Sequence, residues 1–160
     1  MSRYQPKGNT RAFWVTTISN TSAPTVAEIN AGFELTGYLR GDGITTPQSG
    51  STIDVSDMSS RFNKTAPGTF GGDPNSLKMY RDSVTGSDLA YTTLPRDTAG
   101  YLVIREGLPF ATAVAASQRY HVTQGTIISR EMQSTADNEP RHFVCQMSVE
   151  AVPVDNAVSV

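Results

Sequence analysis

The sequence is poor in the groups from which most protein chemistry is built. One cysteine, Cys145, and two histidines stand in 160 residues. A lone cysteine closes no internal disulfide, so packing and hydrogen bonds alone must hold the fold. Charge of one sign is also lacking: 13 Lys plus Arg face 15 Asp plus Glu, a formal charge of −2 at pH 7. Without a basic excess the chain has little means of clamping nucleic acid through phosphate contacts, and tight DNA binding is disfavoured. No run of about 18 apolar residues is available to cross a bilayer, and the opening MSRYQPKGNTR lacks the apolar stretch of a secretory signal. These absences predict a soluble protein made in a cytoplasm, with no membrane partner. The length suits one domain, residues 1–160, able to bury a core without metals.

What the chain does have is alternation. AFWVTTI (12–18) puts Trp14, Thr16 and Ile18 on one side of a pleat and Phe13, Val15 and Thr17 on the other. STIDVSDM (51–58) sets Ile53 and Val55 against Asp54 and Ser56. SLKMYRD (76–82), YLVIRE (101–106) and RYHVTQGTIIS (119–129) continue the series. HFVCQMSVEAV (142–152) aligns Phe143, Cys145, Met147 and Val149 against Gln146, Ser148 and Glu150. The period of two predicts a mainly β fold, a sandwich or barrel-like pair of antiparallel sheets. Trp14, Phe13, Phe143 and Met147 are expected to fill the space between the sheets.

Helical signals are brief. In PTVAEINAGFELT, Thr25 can cap a turn, Glu28 sits three residues on, and Gly32 is placed to end it. In GSDLAYTTLPRDTAG, Ser87 or Asp88 can accept from the first turn, with Leu89 and Leu94 on the apolar side. RGDG (40–43), PQSG (47–50) and ADNEPR (136–141) read as turns. NKTAPGTFGGDP (63–74) reads as a long glycine-rich loop.

Catalytic patterns fail on chemistry. PGTFGGDP has no lysine after its glycines to reach a phosphate, so it is no P-loop. His142 and Cys145 point to opposite faces of a strand, which spoils joint metal ligation; a core cysteine beside an exposed histidine is the simpler reading. His121 lies mid-strand with no GxSxG nearby. An Arg-Gly-Asp at 40–42 is explained by the turn. The expectation is no enzyme, no metal and no cofactor.

The order of the pieces carries a resemblance. PTVAEINAGFELTGYL, then DGITTPQSGSTIDVSDMSSRFNKTAPGTFGGDPNSLKMYRD, then GYLVIREG, YHVTQGTIIS and the closing NEPRHFVCQMSVEAVPVDNAVSV together resemble the major tail tube proteins of long-tailed, non-contractile bacteriophages. Those of phages infecting actinobacteria are the most similar. The resemblance implies a β-sandwich-like tail tube protomer with one or two short flanking helices. It further implies a homo-oligomer of six-membered rings stacked into a tube, resident in the virion and assembled in the host cytoplasm. Tape-measure, tail-tip and tail-terminator proteins would be its partners, and double-stranded DNA would pass without tight binding. Residues 1–11 would be a flexible N-terminal arm and 153–160 a C-terminal tail. Residues 61–75 would be a mobile assembly loop that orders on a neighbouring subunit, carried by Phe62, Asn63, Lys64, Pro67, Gly68, Phe70, Gly71, Gly72, Asp73 and Pro74. Asp54, Gln146, Ser148 and Glu150 are the candidates to line the lumen, since inward arginines would hold the DNA phosphates. Two rival functions are a small β-sandwich module binding carbohydrate or protein, which would display clustered exposed aromatics, and an enzyme with a site built across loops.

Overall fold

An alternating strand needs a partner layer for its apolar face. The computed structural model describes residues 5–84, 86–133 and 136–160. Among these, the elements run β1 (Thr10–Val15), α1 (Val26–Ala31), β2 (Phe33–Glu34), β3 (Leu39–Thr45), β4 (Gln48–Asp54), β5 (Thr65–Gly72), β6 (Asn75–Tyr80), α2 (Leu89–Thr93), β7 (Ala99–Glu106), β8 (Arg119–Met132), β9 (His142–Met147) and β10 (Val154–Val158). The fold is mainly β, as expected, and every strand pair is antiparallel.

The long strand β8 organises the molecule. Its first half pairs with β7 on one edge and β10 on the other, and its second half pairs with β9 after a register shift between Ile127 and Ser129. The result is two half-sheets that share β8: β2-β1-β7-β8-β10, and β8-β9-β6-β3. Their inner faces meet in one apolar cluster. Ala12, Trp14, Leu102 and Ile104 of the first half-sheet pack with Leu77, Met79, Phe143, Cys145 and Met147 of the second, and Ala90 and Leu94 from around α2 close the end. Each large side chain buried there contributes on the order of 1.5–3 kcal/mol before entropy is subtracted. Burial also pushes the Cys145 thiol up to about 12, so it is inert at neutral pH.

The first half-sheet is buried on its other face as well. Phe13, Val15, Val103, Tyr120, Val122 and Ala157 form a second cluster with Ile18 and with Ile29 of α1. Phe13 therefore does not join Trp14 between the sheets. Ile18 falls with Phe13 because β1 ends at Val15 and the period of two ends with it. The segment 153–160, expected as a tail, forms β10, which runs beside β8 and brings Ala157 into this cluster. Likewise Thr10 and Arg11, assigned to a flexible arm, are paired with Glu106 and Arg105 in β1, and residues 1–4 of that arm lie outside the described residues.

Helix α1 bears out its sequence signature. The Glu28 amide donates to the Thr25 hydroxyl at 3.1 Å, and the Glu28 carboxylate accepts from the amides of Thr25 and Ser19 at 2.8 Å each. Those donors hold the Glu28 carboxyl at about 2, below its ordinary 4.5. A carboxyl whose pKa is depressed in the folded state contributes stability above its unfolded value and loses it as pH falls. The stability difference between the wild type and Glu28→Gln is therefore expected to be largest above pH 4.5 and to close as the pH approaches 2. Urea midpoints measured across that window check this; a difference that does not change with pH contradicts it.

Helix α2 departs from expectation. Asp88 stands at its N-cap without a capping hydrogen bond, because its carboxylate is taken by the Arg81 guanidinium. The RGDG segment is not a turn but a bulge within β3, where the register jumps between Leu39 and Ile44. A side chain at Gly43 would lie 2.7 Å from the Lys78 carbonyl oxygen, so the bulge closes onto β6 only with glycine there.

Candidate assembly surfaces

The segment from Gln48 to Gly72 joins neither cluster. Among the described residues, β4 and β5 pair only with each other, from Gln48 opposite Gly72 to Asp54 opposite Thr65. This corrects the reading of 61–75 as a loop. Phe62, Asn63 and Lys64 lie in the tip of a hairpin, Pro67, Gly68, Phe70, Gly71 and Gly72 are on strand β5, and Asp73 and Pro74 lead into β6. Glycine and proline depress strand propensity, yet they are tolerated on a ribbon whose outer edges face solvent.

The tip is ordered by short polar side chains. Asp54 accepts from the Ser56 amide and Asp57 from the Ser59 amide, the Lys64 amide donates to the Ser56 hydroxyl, and Lys64 Nζ stands 3.1 Å from Asp57. These donors hold both carboxyls below their usual range, led by the Ser56 hydroxyl for Asp54 and the Ser59 hydroxyl for Asp57.

Along this arm the large apolar side chains are open to solvent. Ile53, Val55, Met58, Phe62 and Phe70 are all exposed, Phe62 by 73% and Phe70 by 69%. The alternation expected of residues 51–58 is present, but both faces of the ribbon meet solvent. A two-stranded ribbon is marginal alone in water. Clustered apolar side chains held out from a core mark a surface that another molecule covers.

A second feature lies at the far end of the second half-sheet. A cleft of about 710 Å³ is lined by Tyr38, Tyr80, Arg81, Asp82, Met132 and Arg141, among others. Its floor is stiff. The Arg81 and Arg130 guanidiniums lie 3.8 and 4.2 Å from the centre of the Tyr91 ring, and Tyr91 meets Phe143 edge-on at 5.2 Å.

Of the four lumen candidates, Asp54 stands apart from the other three. Asp54 lies on the arm. Gln146 is on the outer face of the second half-sheet, opposite Ser76 on β6 and Ser129 on β8. Ser148 and Glu150 sit together just beyond the end of β9, the Glu150 carboxylate accepting from the Thr126 hydroxyl at 2.6 Å. That outer face also carries Lys78, which meets Asp42 at 3.4 Å, and His142, whose ring lies 3.2 Å from an Arg40 nitrogen. His142 is thus buried rather than exposed, covered by β3.

His121 lies 2.5 Å from the Asp155 carboxylate and 3.0 Å from the Thr123 hydroxyl. The order carboxylate, imidazole, hydroxyl is that of a hydrolytic triad. Thr123 is fully buried, however, so its oxygen meets no substrate, and the three groups fasten β10 to β8.

Sequence reasoning missed Arg105, which has no solvent exposure and, among the described residues, no carboxylate partner. Its guanidinium donates to the carbonyls of Pro109, Thr112 and Ala113 and to Gln118 Oε1. Arg11, directly opposite on β1, also donates to Thr112 and pairs with Glu34 at 2.7 Å. The two arginines fix the connection between β7 and β8. A charged residue in the middle of an apolar strand, Arg105 in YLVIRE, was the available signal.

Comparison with known proteins adds three findings. The family described as phage tail tube protein matches residues 1–160. No curated protein sequence matches the chain. Among solved structures, the chain is similar to one from the cryo-EM structure of the anti-feeding prophage (AFP) baseplate, 6-fold symmetrised, with a TM-score of 0.59 and 10% identity, covering 97% of this chain and 98% of that one. At that identity the likeness speaks for the fold alone.

Proposed function

The chain belongs to the phage tail tube protein family over its whole length, and on that premise we propose that it polymerises as six-membered rings that stack into the tail tube of a long-tailed, non-contractile phage. The tube is the conduit through which DNA leaves the particle. The observation that carries this reading is the arm of residues 48–72, which is built as a ribbon and leaves its apolar side chains without cover. In a homopolymer the cover is another copy. Burying a side chain such as Phe62 or Phe70 is worth about 1.5–3 kcal/mol each, set against the cost of ordering the arm. The end strands β2 and β3 add sheet edges on which neighbours can continue the hydrogen bonding around a ring.

The conduit makes a second demand, that the bore not hold DNA. The outer face of the second half-sheet carries Ser76, Gln146 and Ser129, and its Lys78 is paired with Asp42. On this reading Gln146 faces the bore, whereas Asp54 belongs to the arm contact. The phage is of the kind infecting actinobacteria, and the tube meets tape-measure, tail-tip and tail-terminator proteins.

Electron microscopy and sedimentation of the purified chain, alone and seeded with preformed tail tips, test the proposal. Six-fold rings and long hollow tubes are expected in the seeded sample. A persistent monomer that ignores seeds contradicts it, and a monomer that binds a sugar array favours the binding-module reading.

A further inference from the structure

Arm and cleft lie at opposite ends of one half-sheet. In the β3–β6 pair, Leu39 stands opposite Met79 at one end and Thr45 opposite Ser76 at the other. The cleft is built on Tyr38 and Tyr80, beside the first pair, whereas the arm leaves after Thr45 and returns at Asn75, beyond the second. A contact between opposite ends of identical subunits is head-to-tail, and where its rotation does not close into a ring it repeats along a line.

We infer that the tip of the β4–β5 arm seats in the Tyr38–Tyr80–Arg141 cleft of the next copy along the tube. The inference rests on the tube reading above and names the surface that receives the arm. The side chains at the two sites are complementary. The tip presents Met58 and Phe62 uncovered, and the cleft offers two phenol rings and the half-exposed thioether of Met132. Its volume falls in the range of about 300–1,000 Å³ typical of sites that enclose a partner's groups. The unmatched charges are complementary too. Among the described residues, Asp54 has no cation beside it and Arg61 no anion, while Arg141 has no anion and Asp82 no cation. Arg81 is already held by Asp88 and stacked on Tyr91, which leaves Arg141 as the free guanidinium of the cleft. Asp54 therefore meets Arg141, and Arg61 meets Asp82, as the apolar tip enters between the tyrosines.

The inert Cys145 makes a direct test clean, because the wild-type chain brings no reactive thiol. Tubes of Met58→Cys/Ser83→Cys, mildly oxidised, are expected to give a ladder of covalent multimers above the dimer on a denaturing gel. Met58→Cys/Ala111→Cys, which pairs the tip with the β7–β8 connection instead, is expected to give none. Separately, Arg141→Glu is expected to raise the protein concentration needed for assembly about tenfold, the loss of one close charge pair. Adding Asp54→Arg to that variant is expected to restore it. Tubes without the ladder, a ladder from the Ala111 pair, or Arg141→Glu assembling like the wild type each overturn the inference and leave the tube reading standing. Absence of tubes from the seeded wild-type chain overturns both.

Discussion

Replacing residues 47–74 by Asn-Gly yields a folded monomer that forms no tubes at any concentration. The splice is geometrically natural, because Thr45 and Ser76 are already cross-strand partners and a two-residue turn can join Thr46 to Asn75. None of the excised residues belongs to either core cluster, so the core packing is kept. The thermal midpoint is expected to stay within ~5 °C of the wild type, since about 1 kcal/mol moves it by a few degrees in a chain of this size. Assembly is lost completely, because the surface that seeks cover is gone. Removing only 62–74 would be a poorer experiment: it would take β5 away and leave β4 unpaired. Circular dichroism and sedimentation report fold and size together, and tubes seen by electron microscopy from the excised chain contradict the account.

The largest expected effect of a single methyl group is at Gly125. A Cβ there would lie 1.8 Å from the Ser148 carbonyl oxygen, at the place on β8 where β9 gives way to β10. The oxygen cannot retreat cheaply, because the Ser148 amide donates to the Thr126 carbonyl and the Glu150 amide to Gln124. Gly125→Ala must break those bonds or part the half-sheets. We expect a loss of about 3 kcal/mol or more, the upper range for overpacking, and a midpoint lower by ~10 °C. Gly71→Ala is the control: nothing lies within 4 Å of its Cβ, and its stability should match the wild type. Equal midpoints for the two variants would show that the junction yields where it is expected to resist.

Much of the core was legible in the sequence. Strands β6, β7, β8 and β9 fall within a few residues of where alternation put them, because each buries one face against the opposite half-sheet. The Thr25–Glu28 capping box is a wholly local interaction, and it was read correctly for that reason. The errors fall where non-local forces override local preference. β5 contains Pro67 and three glycines, and what holds it extended is pairing with β4. β10 reads VDNAV, with Asn156 at a positive φ of 69° in a bulge, so its alternation is broken just where β8 recruits it. Asp88 is a good capping residue in sequence, but Arg81 competes for it from β6's far end. His142 was expected at the surface and is covered because Arg40 in the β3 bulge reaches over it. The cleft was invisible beforehand, since Tyr38, Tyr80 and Arg141 come from three separated segments. The arm residues, in contrast, were singled out from composition alone, although their strand conformation was not.

The central claim is that the ribbon of residues 48–72 is completed by a neighbouring copy. Amide hydrogen exchange in that ribbon, compared between the free subunit and the seeded tube, addresses it directly. The account predicts rapid exchange across β4 and β5 in the free chain and strong protection in the tube, with β7 and β8 protected in both states. Exchange in β4 and β5 that is equally fast in tube and subunit would contradict it.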